Sequence, residues 1–129
     1  RERQTDRIIQ AIKNPHVDII GHLSGRLLNR RSGYELDLER VLEAAARHGA
    51  ALEINSHPDR LDVDEDTARQ AREMGIKIAI NSDAHHREDL KLLRYGILNA
   101  RRGWLQPEDV LNTMEYDNLA AYLKNKGSR

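Results

Sequence analysis

Three short apolar segments, each preceded by a stretch with helical spacing of its apolar residues, constrain the fold of this chain most strongly. The predicted helices cover residues 5–13, 36–48 and 64–74, and the predicted strands cover residues 17–20, 50–55 and 76–80. Asp37 is placed to cap the second helix, and Gly49 and Gly75 follow the ends of the second and third. Helices of about 10 to 15 residues that alternate with strands indicate an α/β fold with a parallel sheet.

The last third of the chain has weaker patterns. We predict a short helix near residues 89–94, a second at 107–113 that begins at Pro107, and a third at 118–125. Residues 127–129 are expected to form a flexible tail after a single domain that covers residues 1–126.

The composition excludes several classes of site. Lys+Arg and Asp+Glu both number 21, so the net charge predicts no general attraction to nucleic acid or membrane. The chain has no Cys, so a metal would be bound by His, Asp, Glu or water. With no apolar run long enough to span a bilayer and no visible signal peptide, we expect a cytoplasmic protein without a membrane partner.

Potential ligands follow every predicted strand. His22 follows the first strand, and Asp83, His85 and His86 follow the third. The second strand and its following loop contribute Glu53, Asn55 and His57. Because the carboxyl ends of parallel strands meet at one edge of a sheet, we expect these residues to lie together. Imidazole and carboxylate suit Zn, Mn or Fe, so the pattern predicts a metal site.

Each of these ligands also has an ordinary structural interpretation. His22 can be a polar strand-end residue, Asp83 a helix cap or turn residue, and His85 an exposed loop residue. The Asp-x-His string by itself is short and common.

The neighbouring residues have supporting roles in this hypothesis. Glu53 needs a partner if it is buried, such as Arg60 or a metal-bound water. Asn55 is expected to donate a hydrogen bond to a ligand. His57 precedes Pro58 and needs no metal, and His86 is expected to point away from His85.

Two arginines on the same side of the sheet are candidates for binding phosphate. Arg26 follows His22 and Arg60 follows His57, and a guanidinium can bind a phosphate with two hydrogen bonds. Trp104 is expected to pack against the sheet. The chain has no Gly-rich phosphate loop and no Ser-His-Asp pattern, so its residues best support metal-assisted hydrolysis.

Three segments, taken in order, resemble a known family. They are Val-Asp-Ile-Ile-Gly-His at 17–22 with Gly-Arg-Leu-Leu at 25–28, Ala-Leu-Glu-Ile-Asn at 51–55 with Arg-Leu-Asp at 60–62, and Ile-Asn-Ser-Asp-Ala-His at 80–85. These resemble motifs of the PHP (polymerase and histidinol phosphatase) domain. Residues 95–97, 100–104 and 110–113 extend the similarity to the C-terminal PHP domain of bacterial and archaeal family X DNA polymerases.

The resemblance implies a distorted (β/α)7 barrel with a trinuclear Mn or Zn centre at the strand carboxyl ends. It implies phosphoester hydrolysis that acts as a 3′→5′ exonuclease on DNA 3′ ends. His22, Asp83 and His85 match metal ligands, each of a different ion, with Asp83 and His85 also catalytic, while Glu53 and Asn55 line the site. The motif read here as Asn-Ser-Asp-Ala-His-His departs from Asn-Thr-Asp-Ala-His-Ser, and Leu23-Ser24 replaces Pro-Thr after His22. Neither departure removes a ligand.

The opening His-x-His pair and the other early ligands of such a domain are not found before residue 17. The resemblance therefore covers the C-terminal half of the barrel, which we expect to be inactive or impaired alone. Its expected partners are DNA, the polymerase core and the N-terminal half of the domain, with self-association through the open barrel edge as a further possibility. The alternatives are a non-catalytic scaffold or polymerase-binding module and a small-molecule phosphatase related to histidinol phosphatase.

Overall fold

The computed structural model describes residues 1–129 as an α/β structure around a three-stranded sheet. The strands are β1 (Ile19–Ile20), β2 (Ala51–Asn55) and β3 (Ile78–Asn81), in the order β1-β2-β3. Both strand pairs are parallel, which confirms the prediction. The helices are α1 (Glu2–Lys13), α2 (Leu38–His48), α3 (Glu65–Glu73), α4 (Leu93–Arg102) and α5 (Tyr116–Lys124).

The predicted N-cap and terminal glycine of α2 are confirmed, whereas α1 begins at Glu2 and not at residue 5. The Asp37 carboxylate accepts a hydrogen bond from Arg40 N at 3.3 Å, and the Asp64 carboxylate accepts one from Thr67 N at 2.8 Å. Gly49 ends α2 in the left-handed conformation, with φ of 72°. A Cβ there would lie 2.6 Å from the carbonyl oxygen of Lys126, so both backbone and packing require glycine.

Two segments of the last third differ from the prediction. The ten-residue helix α4 follows a 3-10 turn at Arg87–Leu92, where only a short helix was expected. Its buried positions are Gly96, Asn99 and Ala100, so no stripe of large apolar residues marks it in the sequence. The predicted 107–113 helix is two separate 3-10 turns, because Val110 is extended and forms a bridge to Ile78 of β3.

The two faces of the sheet differ in chemistry. Side chains alternate along a strand, so Leu52 and Ile54 of β2 face the helices in the main core. On the opposite face Ala51 and Ala79 pack against Leu111. Further toward the carboxyl ends of the strands, the face that carries Ala51 also carries Glu53, and there it becomes polar.

The two edges of the sheet also differ. Beside β3, the Asn112 side chain accepts a hydrogen bond from Ile80 N and donates one to Ile80 O, both at 2.8 Å. The amide thus satisfies the strand edge much as a neighbouring strand would. At the other edge, β1 has β2 as its single strand partner, and Ile19 is 37% exposed.

The C-terminal residues contact the body of the domain. Lys126 is buried and its Nζ donates to the carbonyl oxygens of Ile12 and Asn14, both at 2.6 Å. Burial lowers the pKa of the Lys126 amine. Arg129 Nη2 lies 2.5 Å from Asp18 Oδ1, while the flexibility of residues 127–129 stays a prediction. None of the helices has the length and hydrophobicity needed to cross a membrane.

Candidate metal site at the carboxyl ends of the strands

His22 and Asp83 face each other across the ends of β1 and β3. Asp83 Oδ2 lies 4.0 Å from His22 Nε2, and the two side chains are 32% and 44% exposed, respectively. Both residues have left-handed backbones, with φ of 50° for His22 and 55° for Asp83. Such values are uncommon outside glycine and concentrate at functional sites. The backbone thus turns both predicted ligands toward one point.

Asn55, the last residue of β2, lies between this pair. It is 1% exposed. Its Nδ2 donates to Asp83 Oδ2 at 3.1 Å and lies 3.5 Å from His22 Nδ1, while its Oδ1 accepts from His57 N at 3.0 Å. The side chain of Asn55 therefore connects the ends of all three strands and donates to Asp83, one of the candidate ligands.

His85 is exposed and is oriented by its own loop. Its Nδ1 lies 2.8 Å from the carbonyl oxygen of Asp83. Because a carbonyl only accepts, this contact favours the neutral tautomer of His85 with its proton on Nδ1, which leaves the lone pair of Nε2 available to a metal.

Asp89 holds the backbone of this loop. One carboxylate oxygen accepts hydrogen bonds from His85 N at 3.1 Å and His86 N at 3.2 Å. These bonds, the one from His85 foremost, lower the pKa of Asp89. Sequence reasoning did not select Asp89, although its position three residues after His86 matches the spacing of a capping box.

Glu53 is half-buried, and its side-chain partner within the chain is Asn81 and not Arg60. Its Oε2 accepts a hydrogen bond from Asn81 Nδ2 at 2.6 Å, so Asn81 takes the place proposed for Arg60. A Cβ on Gly21 would lie 3.2 Å from Glu53 Oε1, which leaves little room for a larger residue at that position. Asn81 is a second residue that sequence reasoning did not select.

The two predicted phosphate-binding arginines contact backbone. Arg26 Nε donates to Arg60 O at 2.8 Å, and its Nη2 donates to Leu61 O. Arg60 Nη1 lies 3.5 Å from Arg26 O. The guanidinium of Arg26 thus joins the loop after β1 to the loop after β2, and phosphate binding by these residues stays a prediction.

Asp62 reinforces the same loop contact. It is 1% exposed, and its carboxylate accepts hydrogen bonds from Ser24 N at 3.2 Å and Gly25 N at 3.0 Å. Nothing in the local pattern distinguishes this aspartate from the exposed ones, so its burial could not be predicted. The hydrogen bonds of His57 are local, and its Nδ1 accepts from Asp59 N at 3.2 Å.

The side chains at this edge of the sheet are of the types that bind metals, but they are too few to hold an ion tightly. Zn ligands lie about 2.0–2.2 Å from the ion and therefore about 3.3–3.6 Å from one another in a tetrahedral site. His22 Nε2 and Asp83 Oδ2, which are 4.0 Å apart, would have to move closer to share one ion. No three His, Asp or Glu side chains of this chain are grouped closely enough to hold an ion. His22 and Asp83 are therefore two candidate ligands, and tight binding of an ion would require at least one more.

Trp104 lies elsewhere and does not pack against the sheet as expected. It is 61% exposed, with the Arg69 guanidinium 4.5 Å from its ring centre. Its side chain forms a wall of an apolar groove of about 750 Å³ between α4 and the segment that contains Val110.

The chain is similar in sequence to proteins named as probable phosphatases, although no protein-family model matches it. It is similar to a probable phosphatase of Thermoanaerobacter sp. (strain X514), with 38% identity over 97% of this chain and 51% of that protein. A probable phosphatase of Caldanaerobacter subterraneus is also 38% identical, over 99% of this chain and 50% of that protein.

The chain is also similar to one particular polymerase. It is 42% identical to DNA polymerase/3′-5′ exonuclease PolX of Bacillus subtilis over 92% of this chain and 21% of that protein. The chain thus spans about half the length of the two phosphatases and about a fifth of the polymerase. The chain is thus similar to parts of proteins named as probable phosphatases and as a DNA polymerase/3′-5′ exonuclease.

Proposed function

We propose that this chain is the C-terminal half of a PHP-type domain that hydrolyses phosphoesters at DNA 3′ ends as a 3′→5′ exonuclease. The observation that carries the proposal is the convergence of His22 and Asp83 on one point at the strand ends. The 42% identity to PolX over nearly the whole chain supports DNA as the substrate. The parallel sheet and helices fit half of a (β/α)7 barrel, and the protein would act in the cytoplasm.

The residues of this chain have defined parts in the proposal. His22, Asp83 and the Nε2 of His85 would each hold a different ion, Mn or Zn, of a trinuclear centre. The metal, when bound, supplies Lewis-acid stabilisation of the phosphate charge. Asn55 holds the Asp83 carboxylate, and the pair of Glu53 and Asn81 lines the site below it.

The missing ligands would come from outside this chain. β1 offers an edge without a second strand partner, whereas Asn112 satisfies the edge of β3. We therefore place the N-terminal half of the domain beside β1, next to His22. A second copy of the chain is the other candidate for that edge, and the polymerase core would be a further partner in the complete protein.

A small-molecule phosphatase is the second candidate function. It is favoured by the extent of the sequence similarity, because nearly all of this chain aligns with about half of each probable phosphatase. A non-catalytic module is the third, favoured by the lack of three grouped ligands.

The experiment compares substrates and variants in the natural full-length protein. With Mn²⁺ present, we expect trimming of a 3′-labelled oligonucleotide that Asp83→Asn abolishes. Asp66→Asn is the matched control, because Asp66 is an exposed acid paired with Arg69 on α3. Activity on histidinol phosphate without trimming would favour the phosphatase, and trimming by Asp83→Asn at the wild-type rate would refute the assignment.

A further inference from the structure

We infer that Asn55 is the positioning residue of this site, because its buried amide sets the relative placement of the two metal-binding side chains, His22 and Asp83. The inference rests on the proposed function for its purpose, but its geometry is independent of any reaction. It gives the second strand a specific task, although that strand contributes no metal ligand of its own.

The hydrogen bonds define which way the amide points. Oδ1 of Asn55 accepts from the backbone N–H of His57 at 3.0 Å, so the oxygen must lie on that side. Nδ2 then faces Asp83 Oδ2 at 3.1 Å. The reversed amide would set an oxygen against a carboxylate and a donor against an N–H, so only one orientation satisfies both neighbours.

The backbone of Asn55 is held as firmly as its side chain. Its N–H donates to the carbonyl oxygen of Asp62 at 2.5 Å, and its Cα pairs in register with Asn81 of β3. The residue is 1% exposed, so its amide is largely shielded from solvent. The donor is thus fixed by a rigid element and not by a mobile loop.

The orientation of the Asp83 carboxylate depends strongly on its contact with Asn55. Asn55 provides the only hydrogen bond to the Asp83 carboxylate within the chain. The same Nδ2 lies 3.5 Å from His22 Nδ1, so one amide group is next to both ligands. Removal of the amide would leave the carboxylate free to rotate away from His22, and a pre-arranged pair would become two independent side chains.

Loss of a residue that orients metal ligands typically weakens metal affinity by about 10- to 100-fold. We expect Asn55→Ala to weaken Mn²⁺ binding to the natural full-length protein by this factor, as measured by the paramagnetic signal of free Mn²⁺. Asn99→Ala is the matched control. Asn99 is also a buried asparagine, 4% exposed, and its side chain donates to Val63 O at 2.9 Å, with no contact to His22 or Asp83.

The control separates positioning from general stability. Both substitutions remove a buried amide, so both are expected to lower the midpoint of urea unfolding, but only Asn55→Ala should change the affinity for Mn²⁺. Equal Mn²⁺ affinities for the two variants would overturn the inference.

A second measurement does not depend on the folding of Asn55→Ala. In the metal-free protein, the side-chain NH2 resonances of Asn55 should shift in Asp83→Asn and stay in place in Asp66→Asn. If the Asn55 side-chain resonances do not shift in Asp83→Asn, the inference is overturned even if the wild type binds Mn²⁺. A wild type without Mn²⁺ affinity would refute the proposed metal site, while a shift in Asp83→Asn would still support the positioning contact.

Discussion

Replacement of Gly96 by alanine would place a methyl group inside the contact between α4 and the strand ends. An ideal Cβ at this position lies 1.9 Å from Ser56 Oγ, 2.7 Å from Ile80 Cγ2 and 2.9 Å from Ser56 Cβ. Carbon atoms in contact normally lie about 3.5–4.0 Å apart. Rotation of the Ser56 hydroxyl would relieve only the first contact, so the helix itself must move.

The expected loss follows from two opposing terms. Overpacking of a core contact costs about 1–3 kcal/mol. Alanine recovers about 0.8–1.0 kcal/mol of helix propensity relative to glycine. Because two of the three close contacts remain after Ser56 rotates, we expect the upper part of the overpacking range to apply, which gives a net loss of about 2 kcal/mol.

Urea unfolding followed by far-UV circular dichroism measures this loss. Gly127→Ala is the matched control, because a Cβ there meets no atom within 4 Å. Ser56→Gly in the Gly96→Ala background removes two of the three contacts and should restore part of the stability. Ser56→Ala alone should be neutral or stabilising, since its buried hydroxyl has no hydrogen-bond partner.

Two outcomes would refute this reasoning. Gly96→Ala could unfold at the same urea concentration as the wild type, which would mean that α4 is not held against Ser56. Alternatively, Ser56→Gly could fail to restore any stability, which would place the cost of the alanine somewhere other than this contact.

Two further predictions concern the edge of β3 and the loop that carries His85. Asn112→Ala removes both hydrogen bonds to Ile80, so we expect a loss of about 1–3 kcal/mol and faster hydrogen exchange at the Ile80 amide; unchanged exchange would contradict the edge contact. The pKa of Asp89 is lowered in the folded protein, so its stabilisation of the His85 loop is present above the ordinary carboxyl pKa and is lost as pH falls through the folded value. An NMR titration should show the amide shifts of His85 and His86 following this transition, and Asp89→Asn should remove the transition, whereas its persistence in the variant would assign it to another group.

The elements that the sequence predicted well are those with local causes. Asp37 caps α2 through a contact only three residues away, and Gly49 ends the same helix because of its own backbone. Helix α4 was missed because its buried face consists of small and polar residues that fill a tight contact. How closely α4 packs on the sheet depends on its contacts with Ser56 and Ile80, which are distant from α4 in the sequence.

The candidate site divides in the same way. The sequence by itself determined the alternation of helices and strands, and therefore that His22, Asn55 and Asp83 follow neighbouring parallel strands. The tertiary structure alone decided which of these side chains meet. The bonds from Asn55 to Asp83 and from Arg26 to the second loop join residues 28 to 35 positions apart. Such partners are selected by strand register and loop packing, which a local pattern of residues does not encode.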